Sequence, residues 1–137
     1  ATDRASFKNF SFNFDSAAGI IYTVDVTKPK GEKVTITSMA DGTPFSLDKM
    51  YKVALNSYRG NGGGELLTKG SGISQDELKD RILYSTDKDL RYYLMQYIEK
   101  KGVIEPHALG QWKFIPEEWV EPAAKRDYEY LFGKVEK

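Results

Sequence analysis

Tyr51-Lys52-Val53-Ala54-Leu55-Asn56-Ser57-Tyr58-Arg59-Gly60-Asn61-Gly62-Gly63-Gly64 divides the chain into two differently patterned halves. Its first six residues alternate, with Tyr51, Val53 and Leu55 on one side, and so predict a strand. Its last five positions hold four glycines, a run that is costly to order and cannot continue a strand. Upstream of it the period of two recurs. In Phe7 to Phe14, Phe10, Phe12 and Phe14 fall opposite Asn9, Ser11 and Asn13, a strand with one wet face. Asp15 to Gly19 reads as a turn. Ile20 to Val26, β-branched and aromatic, is expected to pair back as a hairpin. Lys28-Pro29-Lys30-Gly31 ends that strand, Val34 to Ser38 spells a third, and Asp41-Gly42-Thr43-Pro44 another turn. Ser46 to Lys49 reads as one short helical turn.

Downstream of the glycines the period becomes helical. Ser74-Gln75-Asp76-Glu77 is a capping box, in which hydroxyl and carboxylate each satisfy the other residue's backbone N–H. Leu78, Ile82 and Leu83 supply the apolar side of the helix it opens. The spacing of Leu90, Tyr93, Leu94, Tyr97 and Ile98 predicts a helix over Thr86 to Lys101, packed on the sheet through Leu90, Leu94, Tyr97 and Ile98. Asp87 and Asp89 at its start, Lys100 and Lys101 at its end and Gly102 beyond agree with the helix dipole and stop signals. Trp112 to Ile115 spells a last strand. Glu121-Pro122 opens a short helix to Phe132, with proline at its first position. The expected fold class is therefore α+β, a mainly antiparallel sheet with packed helices, within a single domain over residues 1–137.

Composition narrows the function. At 137 residues, 40% of them apolar, the chain buries enough surface to offset its ordering entropy, which excludes a disordered chain. Twenty basic residues balance twenty acidic ones, which argues against a binder of polymeric nucleic acid or of a membrane surface. No stretch approaches 18 apolar residues, so no membrane span is expected. Ala1-Thr2-Asp3-Arg4 is not a signal peptide and is read as a mature or trimmed start. Without cysteine there is no thiolate chemistry and no cysteine metal site. The single histidine, His107, sits in the proline-marked loop Glu105-Pro106-His107-Ala108 and reads as a surface polar residue. Carboxylates are spaced as solvated helix faces, so no catalytic pair is assigned, and one histidine in no useful Ser-His-Asp order gives no catalytic triad. The glycine run is not a phosphate-binding P-loop, because Glu65-Leu66-Leu67 follows it in place of Lys-Ser/Thr.

Two readings of the glycine run stand side by side. It is a flexible connector, or it lets backbone approach a ligand closely. Tyr58, leaving the end of a strand, is suited to stack on a flat ligand such as a nucleobase. Arg59 is placed to stack or to meet an anion, with a solvated arginine beside a loop as the plainer alternative.

Asp41-Gly42-Thr43-Pro44-Phe45-Ser46-Leu47-Asp48-Lys49-Met50-Tyr51-Lys52-Val53-Ala54, followed by Asn56-Ser57-Tyr58-Arg59-Gly60-Asn61-Gly62-Gly63, resembles the C-terminal domain of the 5′-nucleotidase family. That family includes the bacterial 2′,3′-cyclic-nucleotide 2′-phosphodiesterase/3′-nucleotidases. The pattern Asn-x-Tyr-Arg-x-x-Gly-Gly is most similar to the cyclic-nucleotide branch. So are Phe7-Lys8-Asn9-Phe10 with Phe14-Asp15, and Tyr22-x-Val24-Asp25-Val26-Thr27-x-Pro29. Ile104-x-Pro106 with Trp112 completes a resemblance over residues 7–116, with residues 117–137 as a helical C-terminal extension.

The resemblance implies a nucleoside-binding, substrate-specificity domain whose first part is missing. Hydrolysis would belong to an N-terminal metallophosphoesterase domain with two divalent metal ions, in the same or a partner chain. This segment alone is expected to be inactive and to hold neither catalytic nor metal-binding residues. Tyr58 falls on one of two aromatics that clamp the base, and the other lies in a segment not found here. Asn61, Gly62, Gly63, Gly64 and Arg59 complete the implied substrate-binding set. One branch of the family has an acid after the two glycines; this chain has Gly64, so that contact does not carry over. Export to a bacterial periplasm or surface is implied by the family only. A non-catalytic nucleotide-binding or interaction module working with a separate hydrolase is the alternative function.

Overall fold

β1 (Ile20–Asp25) is the middle strand of a three-stranded sheet, between β2 (Val34–Met39) and β3 (Trp112–Ile115). The fold is that of a computed structural model describing residues 13–133. β1 runs antiparallel to β2 and parallel to β3. The fold is the expected α+β, with a sheet that is mixed among the described residues, one pair of each kind, so 'mainly antiparallel' describes it loosely. Parallel pairing requires a long crossover, and here the helical half of the sequence lies between β2 and β3. Between β1 and β2 the register slips after Ile21, which faces Ser38, while Tyr22 faces Ile36. Thr37 is the extra residue of this bulge, and its hydroxyl donates to the Ile21 carbonyl at 3.1 Å.

The aromatic residues of the sheet supply its packing. Tyr22 is buried, and it stacks on Trp112, its register neighbour on β3, at 5.9 Å between centroids. Phe114 meets Trp112 edge-on at 5.1 Å, and Phe14 lies 5.7 Å from it. The Tyr22 hydroxyl accepts from the Ala17 N–H, so the ring is buried with its polar end partnered. After β1, Asp25 Oδ1 accepts from the Thr27 N–H and hydroxyl, and after β2, Asp41 Oδ1 does the same with Thr43. These hydrogen bonds hold both carboxyls below the usual aspartate range.

The described residues form two compact units, 13–49 with 108–133 and 50–107. In the first, α4 (Glu117–Phe132) follows β3. It starts four residues before the expected Glu121, so Pro122 stands inside it rather than at its first position. The ion pair of Lys113 with Glu117 at 2.5 Å bridges β3 to its first turn.

The second unit holds α1 (Ser57–Gly60), a 3-10 turn (Gly63–Glu65), a π turn (Leu66–Gly70), α2 (Gln75–Asp80) and α3 (Leu90–Lys101). Tyr51–Asn56, expected as a strand, does not form one, and Val53 is 73% exposed. Alternation creates two faces but not a neighbouring edge, and this unit has no strand among its described residues. Ser46–Lys49 forms a turn, with the Lys49 N–H donating to the Ser46 carbonyl at 3.5 Å. The capping box is present as read: Ser74 Oγ accepts from the Glu77 N–H, and Glu77 accepts from the Ser74 N–H. Leu78 is buried, whereas Ile82 and Leu83 are exposed. α3 begins at Leu90 with Asp89 as its cap, accepting from the Tyr92 N–H at 3.0 Å, and ends at Gly102. Its expected packing is corrected: Leu90, Leu94, Tyr97 and Ile98 are all exposed, as is Tyr93. The expected strand Phe7–Phe14 lies outside the described residues except for Asn13 and Phe14, which are not in a strand.

Candidate functional site

The glycine run is structured by hydrogen bonds at both ends. Asn56, extended at φ −71° and ψ 161°, caps α1 by accepting from the Arg59 N–H at 2.8 Å. The cap starts a helix where a strand was expected to end, so Tyr58 lies in the first turn of α1. At the other end of α1, the N–H groups of Asn61 and Gly62 reach back to the carbonyls of Ser57 and Arg59. Gly62 then takes φ +87° and Gly64 φ +70°, conformations that glycine adopts at little cost. Glu65 follows at φ +60°, the one non-glycine residue of positive φ among the described residues.

The glycines also serve close packing. A Cβ on Gly62 would stand 2.7 Å from Gln75 Oε1 and 3.2 Å from Leu78 Cδ1. A Cβ on Gly63 would stand 2.5 Å from the Tyr58 carbonyl oxygen and 2.6 Å from ring atoms Cδ2 and Cε2. Gly60, by contrast, has open space around it. Gln75 Nε2 donates to the Asn61 carbonyl at 2.9 Å and ties the loop to α2. In the sequence Gln75 is legible only as part of a capping box.

Arg59, expected to stack or to meet an anion, does not line the cleft described below, and it is not the solvated arginine of the plainer alternative either. It is 5% exposed, the one buried charged residue among those described. Its Nη1 donates to the Gly63 carbonyl at 3.1 Å, and its guanidinium carbon lies 5.4 Å from the centre of the Tyr58 ring.

Tyr58 itself is 55% exposed. It lines an open cleft of about 300 Å³ together with Asn56, Ser57, Asp89, Leu90, Arg91 and Leu94. An aromatic ring, an aliphatic wall and an amide thus stand beside an Asp89–Arg91 ion pair of 3.9 Å. This combination suits a flat, partly polar ligand: the ring stacks, and the polar groups orient. The cleft draws one wall from the start of α3, which the sequence marked as a helix start and not as a neighbour of Tyr58. Asn61, Gly62, Gly63 and Gly64 do not line it, and of these Gly63 packs against Tyr58.

Among the described residues no three His, Cys, Asp or Glu side chains come together to hold a metal ion. These residues therefore do not fit the two-metal site that the resemblance implies, and no step of hydrolysis is assigned to them. No helix among them is long and apolar enough to cross a membrane.

Comparison with known proteins places these elements in a wider context. Residues 3–69 match the family model described as 5′-nucleotidase, C-terminal domain. The chain is 31% identical over 121 residues to the trifunctional nucleotide phosphoesterase protein YfkN of Bacillus subtilis, covering 80% of this chain and 8% of that relative. It is 29% identical over 121 residues to a 2′,3′-cyclic-nucleotide 2′-phosphodiesterase/3′-nucleotidase of Haemophilus influenzae, covering 77% of this chain and 17% of that relative. The chain thus spans less than a fifth of the length of either. No solved structure matches it.

Proposed function

Because the chain belongs to the family of 5′-nucleotidase C-terminal domains, we propose that it is the nucleoside-binding part of a metal-dependent phosphohydrolase acting on nucleotides. The observation that carries this reading is Tyr58, half exposed at the wall of a cleft it shares with Asn56, Asp89, Arg91 and Leu94. A base stacked on that ring would gain about 1–3 kcal/mol. The names of the two relatives, both nucleotide phosphoesterases, support the same substrate class. Bond cleavage and the two divalent metal ions are assigned to a metallophosphoesterase domain outside these residues, in the same or a partner chain. By itself the chain is proposed to bind without hydrolysing. Export from a bacterial cell belongs to the same proposal and rests on the family resemblance and the bacterial relatives.

The test compares two substrates in the full-length protein. One is whichever of adenosine 5′-, 3′- or 2′,3′-cyclic phosphate it turns over fastest; the other is the matching ribose phosphate, which has no base. Tyr58→Ala is expected to lower kcat/KM for the nucleotide by about 5- to 150-fold, the equivalent of one lost stack, and to spare the ribose phosphate. Equal losses on both substrates, or none on either, would overturn the reading.

A further inference from the structure

We propose that Arg59 is a positioning residue for the base-stacking ring: its buried guanidinium holds Tyr58 at the angle at which the ring faces the cleft. The inference rests on the reading of Tyr58 given above and extends it to a residue that does not line the cleft.

A guanidinium that is 5% exposed has lost most of its hydration, which is unfavourable unless directed contacts compensate. Two such contacts bear on Tyr58. The guanidinium carbon stands 5.4 Å from the ring centre, within the range of a cation–π interaction. Nη1 donates to the Gly63 carbonyl at 3.1 Å, and Gly63 is the residue against whose backbone the Cδ2–Cε2 side of the ring packs. Arg59 thus touches the ring and also fixes the surface on which the ring rests. Its own backbone N–H is held by the Asn56 side chain at 2.8 Å, and Asn56 lines the cleft. Gly63 has no side chain that would displace the ring, and Gln75 secures the neighbouring Asn61 carbonyl at 2.9 Å. An aliphatic side chain of similar length would fill the same volume at a lower desolvation cost, but it would neither attract the ring face nor pin the carbonyl. The geometry therefore assigns the guanidinium to orientation of Tyr58, which leaves one residue to meet the base and its neighbour to aim it.

The full-length protein tests this with the same pair of substrates. Arg59→Met keeps the stem and removes charge and donors. It is expected to lower kcat/KM for the nucleotide by about tenfold while leaving the base-free ribose phosphate within twofold. In a Tyr58→Ala background, Arg59→Met is expected to cause no further loss in that ratio, because there is no ring left to aim. Arg59→Lys, which keeps the charge but not the planar fork, is expected to fall between wild type and Arg59→Met, and it serves as the second variant if Arg59→Met does not fold. Equal losses on both substrates, or additive losses in the double variant, would show a general structural role and overturn the proposal, as would loss of folding in both Arg59 variants. If Tyr58→Ala leaves the substrate ratio unchanged, the base-stacking reading itself fails. If Tyr58→Ala changes the ratio and Arg59→Met does not, only the positioning role fails.

Discussion

Gly63 lies directly against Tyr58: a Cβ placed on Gly63 would meet the Tyr58 carbonyl oxygen at 2.5 Å and its ring at 2.6 Å. Both distances are shorter than real Cβ contacts, and one of the opposing atoms is backbone, which cannot swing away. Gly63→Ala is therefore expected to destabilise the protein by about 1–3 kcal/mol, the usual range for overpacking. It should also shift the Tyr58 ring, seen as a change in ring-proton chemical shifts. An unperturbed ring with unchanged stability would mean that the two residues are not in this contact.

Gly62 and Gly60 provide a contrast within the same run. Gly62 has φ +87° and is crowded by Gln75 and Leu78, whereas Gly60 has an ordinary φ and no atom within 4 Å of its missing Cβ. Gly62→Ala is expected to cost more than about 1 kcal/mol from its backbone conformation alone. Gly60→Ala, at a helical position, is expected to be neutral or to stabilise by about 0.5–1 kcal/mol. Urea melts of the two variants check this. A purely flexible connector would tolerate both substitutions equally.

How far these features were legible in the sequence depends on whether the deciding contact is local. β1 and β2 were readable because β-branched residues and turn chemistry mark a strand and its ends within a few positions. The capping box of α2 was readable for the same reason. Tyr51–Asn56 alternates as well as the true strands do, yet it pairs with no strand among the described residues, and the Asn56 side chain turns the chain into α1 instead. The stripe of α3 was legible as a face, but periodicity does not say what covers a face, and its residues are exposed. At the site, Tyr58 and the glycines were visible as a cluster. That Gly62 is crowded by Gln75 and Leu78, and that Tyr58 shares a cleft with Asp89 and Arg91, depends on segments the chain brings together only on folding.

Leu78 in α2 and Ile82 just beyond its end stand in different settings. Leu78 is 4% exposed and packs beside Gly62, while Ile82, one turn later, is exposed. Leu78→Ala is expected to cost about 2–4 kcal/mol, because buried aliphatic atoms are lost and a cavity is left under the glycine run. Ile82→Ala is expected to remain within about 1 kcal/mol. Thermal melts distinguish the two, and comparable losses would place Ile82 in the core as well.

The capping box makes part of this stability depend on pH, and the direction follows from its hydrogen bonds. Glu77 accepts from the Ser74 N–H at 3.1 Å and from its hydroxyl at 3.0 Å, with Arg81 3.6 Å away on the next turn. The two Ser74 hydrogen bonds, the backbone one foremost, favour the carboxylate and hold Glu77 below the usual glutamate range, and Arg81 adds to them. Unfolding releases these partners, so the carboxyl binds a proton more readily in the unfolded chain. Stability from this group is therefore present above the unfolded value of about 4.3, and it is lost as the pH falls through the lower folded value. Glu77→Gln removes the titration while keeping a side-chain acceptor. Its melting temperature should accordingly lie below that of wild type near pH 7, and the gap should narrow as the pH falls below about 4. Because the group is exposed, added salt should weaken the contribution of Arg81 and leave the Ser74 hydrogen bonds largely in place. A carbon-detected titration of the Glu77 carboxyl gives the direct check: a midpoint at or above the ordinary glutamate value would show that the box does not hold the charged form.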